Sequence, residues 1–197
     1  MTEEAIIERH PFQPFLPENA GILFLGSFPP QEKRWCMPFY YPNWTNDFWR
    51  VMGLVFHRDR DWFTVPGQKR FDIDRVQAFC REQGLALHDT ASAVRRLQDN
   101  ASDKFLEVVT ATDIPALLGQ IPQCRSLVTT GQKATDVVVG TFGCAEPPLG
   151  GSTPLRIGER ELRFWRMPST SRAYPLPLEK KALAYQLLFS PGQNSIT

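Results

Sequence analysis

Paired cysteines are missing from this chain. Cys36, Cys80, Cys124 and Cys144 stand alone, with no CxxC spacing, which removes the zinc-ribbon and iron–sulfur readings and leaves reduced thiols as the ordinary fate of all four. Only three histidines occur, His10, His57 and His88, too scattered to form a ligand motif, so no metal is expected. Phosphate-loop and dinucleotide fingerprints are absent too: Gly150-Gly151 has no lysine after it, and no GxGxxG occurs. Nor does one sign of charge dominate. Lys and Arg number 22 against 21 Asp and Glu, a formal net charge of +1, which excludes a histone-like or basic-tail attachment to nucleic acid but leaves room for a local basic patch. No apolar run approaches the ~18 residues of a membrane span. Met1-Thr2-Glu3-Glu4 lacks the basic and apolar regions of a secretory signal, so a soluble, cytoplasmic protein is the expectation. At 197 residues, 42% hydrophobic and 22% charged, the chain can bury one substantial core, and a single domain over residues 1–197 is the default.

What is present is an alternation of short apolar runs with helical patterns. Glu3–Arg9 reads as a short helix before Pro11 and Pro14. Gly21–Gly26 reads as the first strand, apolar throughout as expected for one covered on both faces. A helix over Asn46–Phe56 follows, with Asn46 or Thr45 as its cap and an apolar stripe of Phe48, Trp49, Met52 and Val55. A surface excursion over Arg58–Gly67 precedes a helix at Asp72–Gln83, capped by Asp72 and ended by Gly84. Leu85–Asp89 is a second strand, Asp113–Gly119 a short helix, Arg125–Thr130 a third strand and Gln132–Val139 its following helix. Leu155–Gly158 and Glu161–Arg166 form a hairpin turning at Gly158-Glu159. Leu178–Phe189 is the last helix, with Leu183, Leu187 and Leu188 directed inward. Strands spaced by helices give an α/β fold with a mostly parallel sheet and helices on both faces.

In such a sheet the C-terminal strand ends share one rim, where ligands bind. Four ends qualify: Gly26-Ser27-Phe28-Pro29, His88-Asp89-Thr90, Thr129-Thr130-Gly131-Gln132 and Pro168-Ser169-Thr170-Ser171. After the first of them, Tyr40-Tyr41-Pro42-Asn43-Trp44-Thr45-Asn46-Asp47-Phe48-Trp49 brings aromatics beside amides, a combination suited to a flat, polar-edged ligand such as a nucleobase. The last end sets hydroxyls and backbone N–H groups before Arg172, as a phosphate site would require, although Ser/Thr-rich turns after strands are commonly only turns. Arg95-Arg96, Lys133, Lys180 and Lys181 supply either a diffuse positive face or solvated helix surface.

The first and last of these segments resemble the two signature motifs of the uracil-DNA glycosylase superfamily, most closely its hypoxanthine-DNA glycosylase branch. Gly26-Ser27-Phe28-Pro29 with Tyr40-Tyr41…Asn46-Asp47-Phe48-Trp49 is similar to the first motif, and Pro168-Ser169-Thr170-Ser171 to the second. His88-Asp89, Asp99-Asn100 and Thr129–Ala134 follow in a similar order between them. The resemblance implies a three-layer α/β/α sandwich. It further implies a monofunctional DNA repair enzyme that flips a deaminated base, hypoxanthine or uracil, out of DNA and hydrolyses its N-glycosidic bond with water, using no metal or cofactor.

Residue by residue, the resemblance assigns catalysis to Asn46, which would orient water against the sugar; helix capping is the alternative, and Asn43 is the fallback. The water-activating acid or amide that several branches carry in the first turn is replaced here by Ser27, a poor base. Phe28 or Phe39 would stack on the base and Tyr40 would close the pocket, each with ordinary core as its alternative, whereas Phe48 and Trp49 read as core. Ser169, Thr170 and Ser171 would face DNA phosphates. Arg172 would face a phosphate or the gap left by the base. Asp89 and Asp99-Asn100 would orient loops or cap helices. The expected partner is DNA containing damaged bases, and the expected state a monomer. Two other readings remain: a catalytically silent nucleic-acid or nucleotide-binding module on the same fold, and a hydrolase for a small nucleotide.

Overall fold

The computed structural model describes residues 6–98 and 103–190; Asp99-Asn100 lie outside the described residues. The architecture is mixed α/β around a five-stranded central sheet. Strands β2 (Ile22–Gly26), β3 (Leu85–Asp89), β6 (Ser126–Thr129), β7 (Gly151–Ile157) and β8 (Arg160–Arg166) lie in the order β3-β2-β6-β8-β7. The first four positions run parallel, and β7 closes the edge antiparallel to β8 through the expected hairpin.

β2 is apolar throughout because both of its faces are covered, and successive side chains of a strand point to opposite faces. Ile22 and Phe24 join Leu85, Leu87, Val128 and Trp165 in one core with helices α1 (Phe48–His57), α2 (Ile73–Gln83) and α5 (Leu178–Gln186). Leu23 and Leu25 join Ala86, Leu127 and Phe164 in a second core with α3 (Ile114–Gln120) and α4 (Gln132–Phe142). The ends of α2 follow from local chemistry. Asp72 accepts the Arg75 N–H at 3.1 Å, and Gly84, at φ 65°, supplies the left-handed residue that stops the helix. α1 starts at Phe48, two residues later than expected, yet Asn46 Oδ1 still accepts the Phe48 N–H at 2.9 Å from outside the helix.

Three expectations are corrected. The described part of the supposed first helix contains a strand, β1 (Ile7–Arg9), which pairs antiparallel with β4 (Ala91–Arg96); β5 (Leu106–Ala111) completes a separate three-stranded sheet. β1 is extended because it lies along β4, where Glu8 meets Arg96 in a two-pronged ion pair at 3.0 and 3.1 Å, a partner too distant in sequence to be read from local propensity. No strand was expected between Asp89 and Asp113, since Ala91-Ser92-Ala93 carries little β-forming bulk and the β4–β5 register shifts there. Finally, α5 turns a different face inward. Leu188 is buried as expected, but Leu183 and Leu187 are 59% and 46% exposed, and the helix buries Lys181, Ala182 and Tyr185 instead.

Candidate active site

β2 ends at Gly26, and the chain there is pressed against the end of β3: a Cβ on Gly26 would lie 2.5 Å from Asp89 Oδ1. Thr90 donates its N–H to the Gly26 carbonyl and Ala91 to that of Ser27, so the pairing continues beyond the strands. The Asp89 carboxylate is fixed from behind by His10, whose Nε2 lies 2.7 Å from Oδ2. His10 in turn is held through Nδ1 by the backbone of Phe12, and its ring meets Phe28 edge-on at 5.3 Å.

The next loop folds back over this turn. Trp35 donates its indole N–H to the Pro30 carbonyl, and Cys36 its backbone N–H to that of Pro42. Tyr41 adopts a left-handed φ of 52°, rare for a residue with a side chain. It is held there by stacking on Phe48 at 3.8 Å and by a hydroxyl bond to Thr130 Oγ1 at 2.9 Å. Tyr40 reaches the other way, donating to the Gln13 carbonyl at 2.9 Å and lying 2.7 Å from His88 Nδ1. Burial, with the charges of Asp89 and Tyr41 adding to it, pushes the Tyr40 hydroxyl far above its ordinary range. Burial, reinforced by His10 and opposed by Asp89, pushes His88 down to about 4. His88 is therefore neutral at pH 7 and does not act as an imidazolium acid there.

That depressed value sets a pH dependence. The unfolded chain protonates His88 near 6.5 and the folded chain only near 4, so this contribution is present above pH 6.5 and is lost as pH falls toward 4. Between pH 6.5 and 5 the loss is about 2 kcal/mol, at about 1.4 kcal/mol per unit. Urea unfolding at these two pH values should find a His88→Gln variant losing about 2 kcal/mol less than the natural protein; equal losses would contradict the assignment.

Asn46 is anchored through its backbone. Arg50 NH1 donates to the carbonyls of Trp44 at 2.8 Å and Asn46 at 3.0 Å, while its guanidinium packs on the Trp44 ring. Asn43 Oδ1 is occupied by the Thr45 N–H and hydroxyl. Asp47, buried at the mouth of α1, donates its N–H to the Thr170 carbonyl at 2.8 Å, which ties this loop to the one after β8. Within that second loop Ser169 Oγ accepts the Ser171 N–H and Ser171 Oγ that of Ala173, so both hydroxyls shape the turn and each keeps a proton to donate. From beneath, Tyr185 donates to the Pro168 carbonyl and Lys181 to that of Ser171.

These segments enclose a cleft of about 660 Å³ at the C-terminal rim of the parallel strands. Ser27, Phe28, Tyr40, Asn43, Asn46, Ser169, Thr170, Ser171 and Arg172 all line it. Phe39 does not: it is buried between Phe15 and Trp49, in the core around α1, because the chain's turn at Tyr40-Tyr41 directs it to the opposite side. Phe48 and Trp49 are core, as expected. The wall also holds Arg34 and Lys104, to which the sequence analysis gave no role. Among the described lining residues are Arg34, Arg96, Lys104 and Arg172 beside one carboxylate, Asp89; Arg96 is paired with Glu8 and Arg172 with Asp47. Among the described residues no three or more His, Cys, Asp or Glu side chains gather as metal ligands, and burial pushes the Cys124 thiol up to about 11, away from nucleophilic use. No described helix is long and apolar enough to cross a membrane.

No family model matches the chain, and no curated protein matches it. Among solved structures it is similar to a Methanosarcina acetivorans protein determined in solution by NMR and provisionally named a uracil DNA glycosylase, with 21% identity and a TM-score of 0.64, covering 93% of this chain and 97% of that one. At this identity the likeness establishes a shared fold.

Proposed function

We propose that the chain is a DNA glycosylase of the uracil-DNA glycosylase type, closest to the hypoxanthine branch, on a three-layer α/β/α sandwich. The observation that carries this reading is the cleft itself: an amide, an aromatic face and a hydroxyl-rich turn meet beside arginine side chains at the ends of four parallel strands. A duplex phosphate suits Ser169, Ser171 and Arg172, which offer O–H and N–H donors. A flipped base suits the space between the Phe28 face and Asp89, whose free oxygen edge accepts an N–H of the heterocycle. Asn46 then orients a water toward the sugar carbon as the bond to the base loosens. An amide is no strong base, so the step needs an oxocarbenium-like transition state in which water attacks late. No lyase step is included, because no lysine lies within the Gly26–Pro29, Tyr40–Trp49 or Pro168–Ser171 segments, and Lys181 beneath them has its Nζ engaged by Asp47 and Ser171.

One observation favours a binding module instead: Asn46 Oδ1 already serves the Phe48 N–H. Incubation of the purified protein with labelled duplexes carrying one hypoxanthine or one uracil, followed by alkali, separates the two. Strand cleavage at the lesion is the expected result; intact strands with retained DNA binding would favour the module.

A further inference from the structure

The buried carboxylate of Asp47 carries two cations. Lys181 Nζ lies 2.9 Å from Oδ2 and Arg172 NH2 3.3 Å from Oδ1. The two cations are not equivalent. Lys181 is 1% exposed and is fixed a second time by the Ser171 carbonyl at 2.8 Å, whereas the Arg172 side chain is 50% exposed and lines the cleft. A third cation stands close by, since burial and next the charge of Arg172 push the Arg50 guanidinium down. The cluster thus holds more positive charge than Asp47 can neutralise, and the surplus is on the arm that faces the cleft. A buried carboxylate is strongly disfavoured without a cation, but with Lys181 in place Asp47 stays paired when Arg172 leaves.

We propose that Lys181 is a positioning residue for DNA binding: by keeping Asp47 neutralised it allows Arg172 to exchange its Asp47 contact for a phosphate of the bound strand. This rests on the DNA-binding part of the function proposed above. Without Lys181, Asp47 would have Arg172 as its direct partner and would hold it back. The helix that carries Lys181 inward while exposing Leu183 and Leu187 is accounted for by the same requirement.

Salt dependence of binding to a labelled duplex with a tetrahydrofuran abasic analogue tests this, because each lost phosphate contact lowers the slope of log affinity against log salt by about one. Arg172→Ala should lower the slope by about one. Lys181→Met should lower it equally although Arg172 is intact, and adding Asp47→Asn to Lys181→Met should restore it, a reversal that a merely structural lysine would not produce. A Lys181→Met protein with the natural slope, or a double variant left as low as the single one, would overturn the proposal. Should Lys181→Met not fold, the Asp47→Asn, Lys181→Met double variant, which leaves no buried charge unpaired, reads the competition from the other side: DNA should bind to it about threefold tighter or more than to the natural protein, and unchanged or weaker binding overturns the idea. Lesion cleavage by the natural protein is scored in parallel. Its absence with the slopes as expected removes the glycosylase reading alone, whereas cleavage with unaltered slopes removes this one alone.

Discussion

Replacing Asn46 by alanine should lower the single-turnover rate of base release by about 10²–10³, the usual loss when one positioned polar group is removed from a reacting centre. Duplex affinity should stay within about threefold, since the side chains proposed to meet phosphate lie on the other loop. The same substitution removes the acceptor for the Phe48 N–H, and loss of a cap costs about 1 kcal/mol, so stability alone cannot distinguish the two roles of this amide. Asn46→Asp can. It keeps the acceptor at the mouth of α1 but loses the amide N–H and adds charge beside the cleft. If Asn46 is only a cap, the aspartate variant retains both stability and cleavage, and the alanine variant cleaves at the natural rate once folded. Survival of activity in both would remove Asn46 from the chemistry and return attention to Asp89, the lining carboxylate of the cleft.

The second large effect is on stability. Asp47→Ala strands the ammonium of Lys181, 1% exposed, with one carbonyl as its partner, and breaking a buried pair from one side costs about 3–5 kcal/mol. In a domain of this size that corresponds to a melting temperature lower by roughly 10 °C. Thermal unfolding followed by circular dichroism at pH 7 measures it. A double Asp47→Leu, Lys181→Met protein should recover most of the loss, because removing both charges leaves no orphan. A shift of only a degree or two for the single variant would mean that water reaches Lys181.

The two patterns that were legible in the sequence are those whose causes are local. β2 and β3 announce themselves as apolar runs because both faces are covered, and α2 is delimited by Asp72 and Gly84, which act within a few residues of themselves. The strand ends that form the cleft follow from the parallel order, and most of the named site residues line it for that reason. The misses have distant causes. β1 is a strand because Glu8 finds Arg96, 88 residues away. Lys181 and Arg96, which sequence alone leaves as surface or diffuse positive charge, are buried by single carboxylates elsewhere in the chain. Phe39 resembles its neighbours in composition, and only the φ of Tyr41 and the packing of Trp49 separate core from cleft. Leucine periodicity misassigned α5 because an ion pair, not apolar area, chose its inward face.

The way the cleft is stitched together has a consequence for how the protein comes to life. Its lining carboxylate is held by a histidine 79 residues upstream, and the aspartate at the mouth of α1 by a lysine 134 residues downstream. Contacts spanning such distances form late, after loop closure across most of the chain. During synthesis, therefore, the strands can pair and the two cores can begin to pack while the cleft is still unfinished. Only when α5 emerges and docks do both loops acquire their fixed geometry. A chain truncated before α5 should then be compact, with paired strands and packed cores, yet lack a finished cleft.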